Sequence, residues 1–432
     1  MLAAGFERSR AWGGLLPKSH HFGYSGEAVP ASESSTSQTR QADPMQCDIL
    51  IRGGEVIDPS QDLRGVRDVA VGGGRVLAIE ESIDPVEATH TVDARGLLVV
   101  PGLIDLHVHV YTDHMPLGIE ADPLCPAGGV TTMLDAGSAG SRNFPGFRRD
   151  VIDRIQTQVF GLVNLASPGL IAADLGELVD RRHADPAGVV RTIAENPGVA
   201  IGVKIRAGKH IIGEGEQGWE NFRDAVQAAR ESGTWLMVHI GESPMSIPEM
   251  LELLEPGDCI THCFKGGSTR ILDHDDSVFS AVRDASAAGV IFDVGHGYGS
   301  FNWETCQACL EGGLEPTTIS TDLHQKNLHG PVYDMPTTMS KFLHLGVPLE
   351  RVIEMSTTRP AAVLGQAEQL GTLRVGTVAD IAVLQRHEGR FVLTDSYSQE
   401  RIGEELLVAA ATIRRGELVP GGGGLRMRHQ AD

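Results

Sequence analysis

Cysteine is scarce in this chain: six residues in 432, at positions 47, 125, 259, 263, 306 and 309. So few thiols exclude a disulfide framework and suit a reducing cytosol. Cys306 and Cys309 form one CxxC that no second pair answers. On a helix, positions i and i+3 share a face, so this pair reads as core packing rather than a metal or redox site. Long apolar runs are missing as well. No stretch reaches about 18 apolar residues, which excludes a membrane-spanning helix. The N-terminus lacks the apolar segment of a secretory signal, so a cytoplasmic protein is expected. Positive charge is short: 36 Lys and Arg against 57 Asp and Glu leave a net charge of −21. That balance argues against nucleic acid and against anionic membrane surfaces, both of which need basic patches. Glycine is plentiful, at 52 residues, but has no three-residue period, which excludes a collagen-like chain. The GGG at 72–74 and the GGGG at 421–424 lack the Lys-Ser/Thr of a phosphate loop and read as turn and tail.

The hydrophobic content of 41% is enough for a sizeable core. At roughly 100–200 residues per domain the length suggests two or three domains, or one large α/β barrel with additions. Residues 1–46 are rich in Ser, Thr, Gln and Pro and read as a disordered tail. Met45 stands just before the first strand pattern and is an alternative start of translation. Short Val/Ile/Leu runs split by glycines fill 47–100 and return over 371–420, which points to one small β-sandwich domain built from both flanks. Residues 421–432 read as a C-terminal tail. Between the flanks, over 101–370, apolar runs alternate with helical patterns such as 220–233 and 276–289, each ending at Gly. The runs are LLVVPGLIDLHVHV, GVTTMLDAGS, VFGLVNLAS, VAIGVKIRA, TWLMVHIG, DCITHCF, VIFDVGHG and TTISTDLH. Eight such units match a (β/α)8 TIM-type barrel in count and length.

In such barrels the chemistry sits at the C-terminal ends of the strands. Polar residues gather there. Asp105, His107 and His109 share one side of the first strand by the period of two, so two imidazoles can hold one cation from a single strand. Lys204 interrupts an apolar β-branched run, where a lysine is almost never buried unpaired. It is either paired with a buried carboxylate or part of the site. Arg206 has the same parity and is a candidate for a substrate carboxylate or a neighbouring protein one. His239 and His262 each follow an apolar strand, where a satisfied core histidine is the alternative reading. Asp322 ends the eighth run, with His324 at the same parity on a loop. Tyr111, His114, His296 and Trp303 are further candidates for substrate contact, and an ordinary loop histidine is the alternative for His296.

The order HxH, Lys, His, His, Asp between β-rich flanks resembles the amidohydrolase superfamily over about 47–420. The phrases GVKIRA, FDVGHG followed by GSFNWE, and STDLH are most similar to its amidohydrolase/deacetylase metallohydrolase branch, a relative of dihydroorotases. The resemblance implies two divalent ions, zinc by expectation. His107, His109 and Asp322 would hold the first and His239 and His262 the second, with carboxylated Lys204 and a hydroxide bridging them. Asp322 would be the catalytic proton acceptor. The implied activity is hydrolysis of an amide or ester bond of a small acylated acid, by a homo-oligomer whose other partner is only a small-molecule substrate. A cyclic-amide hydrolase of dihydroorotase or hydantoinase type is the alternative. Tyr111 stands where dihydroorotases usually carry an Arg, which speaks against a true dihydroorotase. A non-catalytic scaffold relative is a remote third reading, since every expected ligand is present.

Overall fold

The computed structural model describes residues 44–84 and 86–419. Of the expected tail 1–46, Met45 and Gln46 already lie in the first strand, while residues 1–43 and the expected tail from 421 lie outside the described residues. Strands β1 (Met45–Asp58), β2 (Leu63–Gly72), β3 (Arg75–Glu80), β4 (Val86–Asp93) and β5 (Leu98–Pro101) open the fold. Next come β6 (Leu103–Val108), β7 (Val130–Asp135), β8 (Gln158–Asn164), β9 (Ala200–Arg206), β10 (Trp235–His239), β11 (Cys259–Thr261) and β12 (Ile291–Asp293). A long hairpin, β13 (Ile381–Thr394) and β14 (Glu400–Arg414), and a short β15 (Glu417–Leu418) end it.

The strands make two sheets. One has eight strands in the order β15-β14-β13-β5-β1-β2-β3, with β4 beside β1, so it is assembled from both flanks of the chain. Its alternation serves two cores. Val99, Ile381 and Val383 point into the sheet's own cluster, while Leu98, Val100, Ala382 and Leu384 join the large core around the second sheet. The GGG at 72–74 is the tight turn between β2 and β3, where Gly73 and Gly74 take φ of 58° and 75°, a conformation that favours glycine.

The second sheet is a curled parallel sheet of seven strands, β6 to β12 in chain order. Parallel strands covered on both faces need continuous apolar runs, and these have them. The segment 317–323 carries no regular strand, yet it bridges both edges of this sheet. Thr318 pairs with Asp293 at one edge, and Leu323 pairs with Val108 at the other. The run LLVVPGLIDLHVHV, expected as one strand, is two. The chain leaves the first sheet at Pro101 and enters the second at Leu103. Gly102 makes the step because a Cβ there would stand 2.2 Å from Thr131 Oγ1.

The helix expected at 220–233 spans Gly215–Ser232 and stops at Gly233, with φ of 66°. The one expected from 276 starts only at Ser280, because Asp273 folds 273–277 into a turn through the amides of Asp275 and Ser277. Cys306 and Cys309 lie on the helix Trp303–Glu311, both buried as free thiols. No helix among the described residues is long and apolar enough to cross a membrane.

Candidate metal centre

The six side chains expected to hold metal leave β6, β9, β10, β11 and the 317–323 segment at the same sheet end. His107 is in β6 and His109 just beyond it. Lys204 is in β9, His239 closes β10, His262 follows β11, and Asp322 lies in the bridging segment. One ligand atom each of His107, His109 and Asp322 lies within 4.8 Å of the other two. Asp322 Oδ1 is 3.4 Å from His107 Nε2 and 3.3 Å from His109 Nε2. Lys204 Nζ lies 3.2 Å from His107 Nε2, and His262 Nε2 is 2.8 Å from His239 Nδ1. The rings of His107 and His262 are 5.0 Å apart, which joins the two halves of the cluster.

Three of the four rings, those of His107, His109 and His262, are oriented from behind. Thr261 Oγ1 donates to Asp293 Oδ2 at 2.7 Å, so it accepts from His107 Nδ1 at 2.9 Å. Ser138 does the same for His109, accepting from Nδ1 at 2.9 Å while donating to Asp135 Oδ2 at 2.8 Å. His262 Nδ1 donates to the Gly295 carbonyl at 2.6 Å. All three protons sit on Nδ1, so all three Nε2 lone pairs face inward. Burial keeps these rings neutral: it holds the His107 pKa well below the usual value and pushes His109 down to about 3 and His262 to about 4. Lone pairs of neutral imidazoles pointed at a carboxylate oxygen repel one another unless a cation stands between them. This donor set suits a divalent metal ion.

The backbone accepts strain to hold it. His262 and Asp322 have φ of 66° and 50°, unusual for residues other than glycine and common where surroundings over-determine a site. Gly295 takes φ of 44°, and a Cβ on it would stand 2.4 Å from Thr261 Oγ1 and 2.8 Å from His262 Nδ1. Lys204 is 1% exposed, and among the described residues its amine has two hydrogen-bond partners, the His107 imidazole and, at 3.3 Å, the Met237 sulfur. Burial lowers its pKa to about 8, which leaves part of the amine neutral near physiological pH.

The candidates for substrate contact fare differently. Arg206 Nε lies 2.9 Å from Glu177 Oε1, off the hydrogen-bond axis, and its Nη2 donates to the Ala173 carbonyl. Its charge is therefore partly matched inside the protein. Tyr111 is 3% exposed, stacks on His114 and donates its hydroxyl proton to the Asn143 carbonyl. Trp303 is fully buried and donates from Nε1 to Gln399 O, so it packs the core rather than facing substrate. His296 is also fully buried. It stacks on Phe301, and Nε2 accepts from Lys341 Nζ at 2.6 Å. His114 is exposed and lines a cavity of about 760 Å³ with Thr112, Met115, Ile119, Ile171 and Gln325. None of the six ligand candidates lines this cavity, whose wall is mostly the 112–120 segment that follows His109 in the chain.

Sequence reasoning missed the anchors Ser138, Asp135, Thr261 and Asp293. Their signal was an Asp ending an apolar strand, in MLDAGS and IFDVGH. It also missed Lys341, which is fully buried in the helix Met335–His344 and donates to the Pro331 and Thr394 carbonyls as well as to His296.

Known proteins resemble this chain in sequence and in fold. The pattern of the amidohydrolase family matches residues 282–402. A deacetylase of Agrobacterium fabrum is 34% identical over 364 residues, which cover 84% of this chain and 89% of that protein. A solved structure described as an adenine deaminase superposes with a TM-score of 0.80 at 33% identity, covering 86% of this chain and 99% of that one. A solved dihydroorotase gives 0.80 at 32% identity, covering 86% and 97%.

Proposed function

The chain belongs to the amidohydrolase family, and from that premise we propose a deacetylase-type enzyme that hydrolyses the amide or ester bond of a small acylated acid. The observation that carries the proposal is the set of Nε2 lone pairs fixed toward one carboxylate oxygen beside a buried lysine. His107, His109 and Asp322 are assigned to one divalent ion and His239 and His262 to a second, zinc in both cases. Lys204, carboxylated on its neutral amine, is assigned to both. When bound, such ions acidify water and polarise a carbonyl.

The protein groups then divide the work. Asp322 keeps Oδ1 toward the histidines and uses its carboxylate to take a proton from the attacking water and pass it to the departing oxygen or nitrogen. Arg206 contributes positive charge on the side of β9, where it favours the carboxylate of an acid substrate even with Glu177 beside it. Closed by 317–323 as an eighth strand, the parallel sheet is read as a (β/α)8 barrel over 101–370, with 47–100 and 371–420 forming the β-domain. A cytoplasmic homo-oligomer is proposed as the working form.

Elemental analysis of the purified protein together with a substrate panel tests the function. We expect about two divalent ions per chain and acetate release from N-acetyl amino acids or O-acetyl hydroxy acids. Turnover of dihydroorotate or hydantoin instead, with none on the acyl acids, would move the protein to the cyclic-amide class. A metal-free protein inactive on both would remove the hydrolase reading.

A further inference from the structure

The ring of His324 is turned the opposite way from those of His107, His109 and His262. The amide of Lys326 donates to His324 Nδ1 at 3.1 Å, so the proton of the neutral ring is on Nε2. His107, His109 and His262 present lone pairs toward the centre. His324 presents an N–H. That donor makes no hydrogen bond among the described residues. Its nearest carboxylate oxygen, Asp322 Oδ2, is 4.0 Å away, beyond bonding reach. The ring is 5% exposed as a residue and stands 6.4 Å, centroid to centroid, from that of His109. It is also held still. The His324 amide donates to Asn327 Oδ1 at 2.9 Å, and Asn327 Nδ2 donates to the Asp322 backbone carbonyl at 2.7 Å, so one buried asparagine ties the backbone at His324 to that at Asp322. Nε2 itself is not sealed inside the protein, so an acceptor can reach it from a molecule that enters the site.

We propose that this acceptor is the departing heteroatom of the substrate, and that His324 is a catalytic residue which donates from Nε2 to it. The inference rests on the hydrolase reading above. An atom at hydrogen-bond distance from both His324 Nε2 and Asp322 Oδ2 fits the 4.0 Å gap between them. The chemistry balances. Water oxygen bonds to the acyl carbon and gives a proton to Asp322. The bond from acyl carbon to heteroatom breaks, with its electron pair going to the heteroatom. Asp322 returns the proton there, and an acid and an alcohol or amine leave. His324 keeps its own proton throughout. It stabilises charge on the departing atom as the bond stretches, as preorganised donors do elsewhere.

The test compares His324→Leu, which removes the donor, with His324→Gln, whose Nε2 reaches a similar place and still carries hydrogen. The probes are N-acetyl-alanine, O-acetyl-lactate and p-nitrophenyl acetate, whose leaving group needs little help. For His324→Leu we expect kcat to fall about 10- to 100-fold on the two acyl acids and much less on the nitrophenyl ester. His324→Gln should recover most of the loss, and both variants should keep wild-type metal content and Tm. Equal losses on good and poor leaving groups, or full activity in His324→Leu, would overturn the inference. So would loss of metal in both variants. Wild-type protein inactive on every probe would bring down the hydrolase reading itself, a different result from any of these.

Discussion

Replacing Thr261 by Val leaves the shape of a fully buried side chain almost unchanged and deletes one hydroxyl. That hydroxyl is the link between His107 Nδ1 and Asp293 Oδ2. Asp293 has other partners, since Thr318 and Ser320 both donate to it at 2.7 Å, so the carboxylate stays in place. Among the described residues His107 Nδ1 has no second hydrogen-bond partner, since Asp293 Oδ2 is 3.9 Å away. Its buried N–H loses its acceptor at a cost of about 1–3 kcal/mol, and the ring can escape by moving the proton to Nε2. In that tautomer the inward lone pair is gone. Removing an outer partner of this sort typically weakens metal binding by about 10- to 100-fold. Stripped Thr261→Val protein titrated with zinc against a chelator of known affinity should fall in that range. Thr261→Ser, which restores the oxygen, should return close to wild type. An affinity of Thr261→Val within about twofold of wild type would show that the hydroxyl does not set the tautomer, and the argument for inward lone pairs would fail with it.

Asp322→Asn retains an oxygen toward the histidines but cannot accept a proton. We expect bound metal to remain while kcat falls about 10²- to 10⁴-fold, and near-normal turnover in a metal-replete sample would remove Asp322 from proton transfer. Arg206→Met leaves Glu177, whose carboxyl burial already pushes upward, alone in the interior. Chemical denaturation should show a loss of about 3–5 kcal/mol, partly regained on adding Glu177→Gln, and unchanged stability would mean the pair is incidental. Burial lowers the Lys341 pKa from 10.5 to about 7, so between those values the unfolded chain binds more protons than the folded one. Stability should therefore rise with pH across that window relative to Lys341→Met, and a pH-independent difference between the two urea midpoints would contradict it.

The sequence was most legible where a period decides direction. His107 and His109 alternate with Val108 along one strand, and the structure turns both toward Asp322. Lys204 was visible because a lysine in an apolar strand has nowhere to hide. Lys341 carries the same anomaly, but in MPTTMSKFLH it looks like the solvated stripe of an amphipathic helix, and only the Thr394 carbonyl of the β13–β14 hairpin shows that the stripe is covered. Trp303 and His296, expected as substrate contacts, have partners inside the protein that the sequence did not show. Position after a strand says which end of the sheet a residue occupies, but not whether another part of the chain has already claimed its polar atoms. Here the turn between β13 and β14 claims both regions, because Gln399 O accepts from Trp303 and Ser396 donates to the His296 and Gly297 carbonyls. The eighth run was legible as a strand position but not as regular strand. Its residues serve the site through side chains and an αL turn at Asp322 instead of a continuous ladder.

Three buried carboxylates explain why the centre sits where it does. Asp105 accepts from the His107 and Thr321 amides, Asp135 from the Val110 and Ser138 amides, and Asp293 from hydroxyls of Thr261, Thr318 and Ser320. Asp135 and Asp293 end β7 and β12 and Asp105 lies within β6, and each grips backbone or hydroxyls next to a ligand residue. Burial raises the pKa of Asp105 to about 7 and that of Asp293 above its usual range, so holding negative charge here is unfavourable in the protein alone. Cations at the adjoining histidines would offset that cost through charge without touching these oxygens. The strand ends are therefore locked by groups whose ionised state and the metal support each other. This predicts a coupling: replacing Asp293 with Asn should weaken metal binding even though its carboxylate contacts Thr261 rather than the ion.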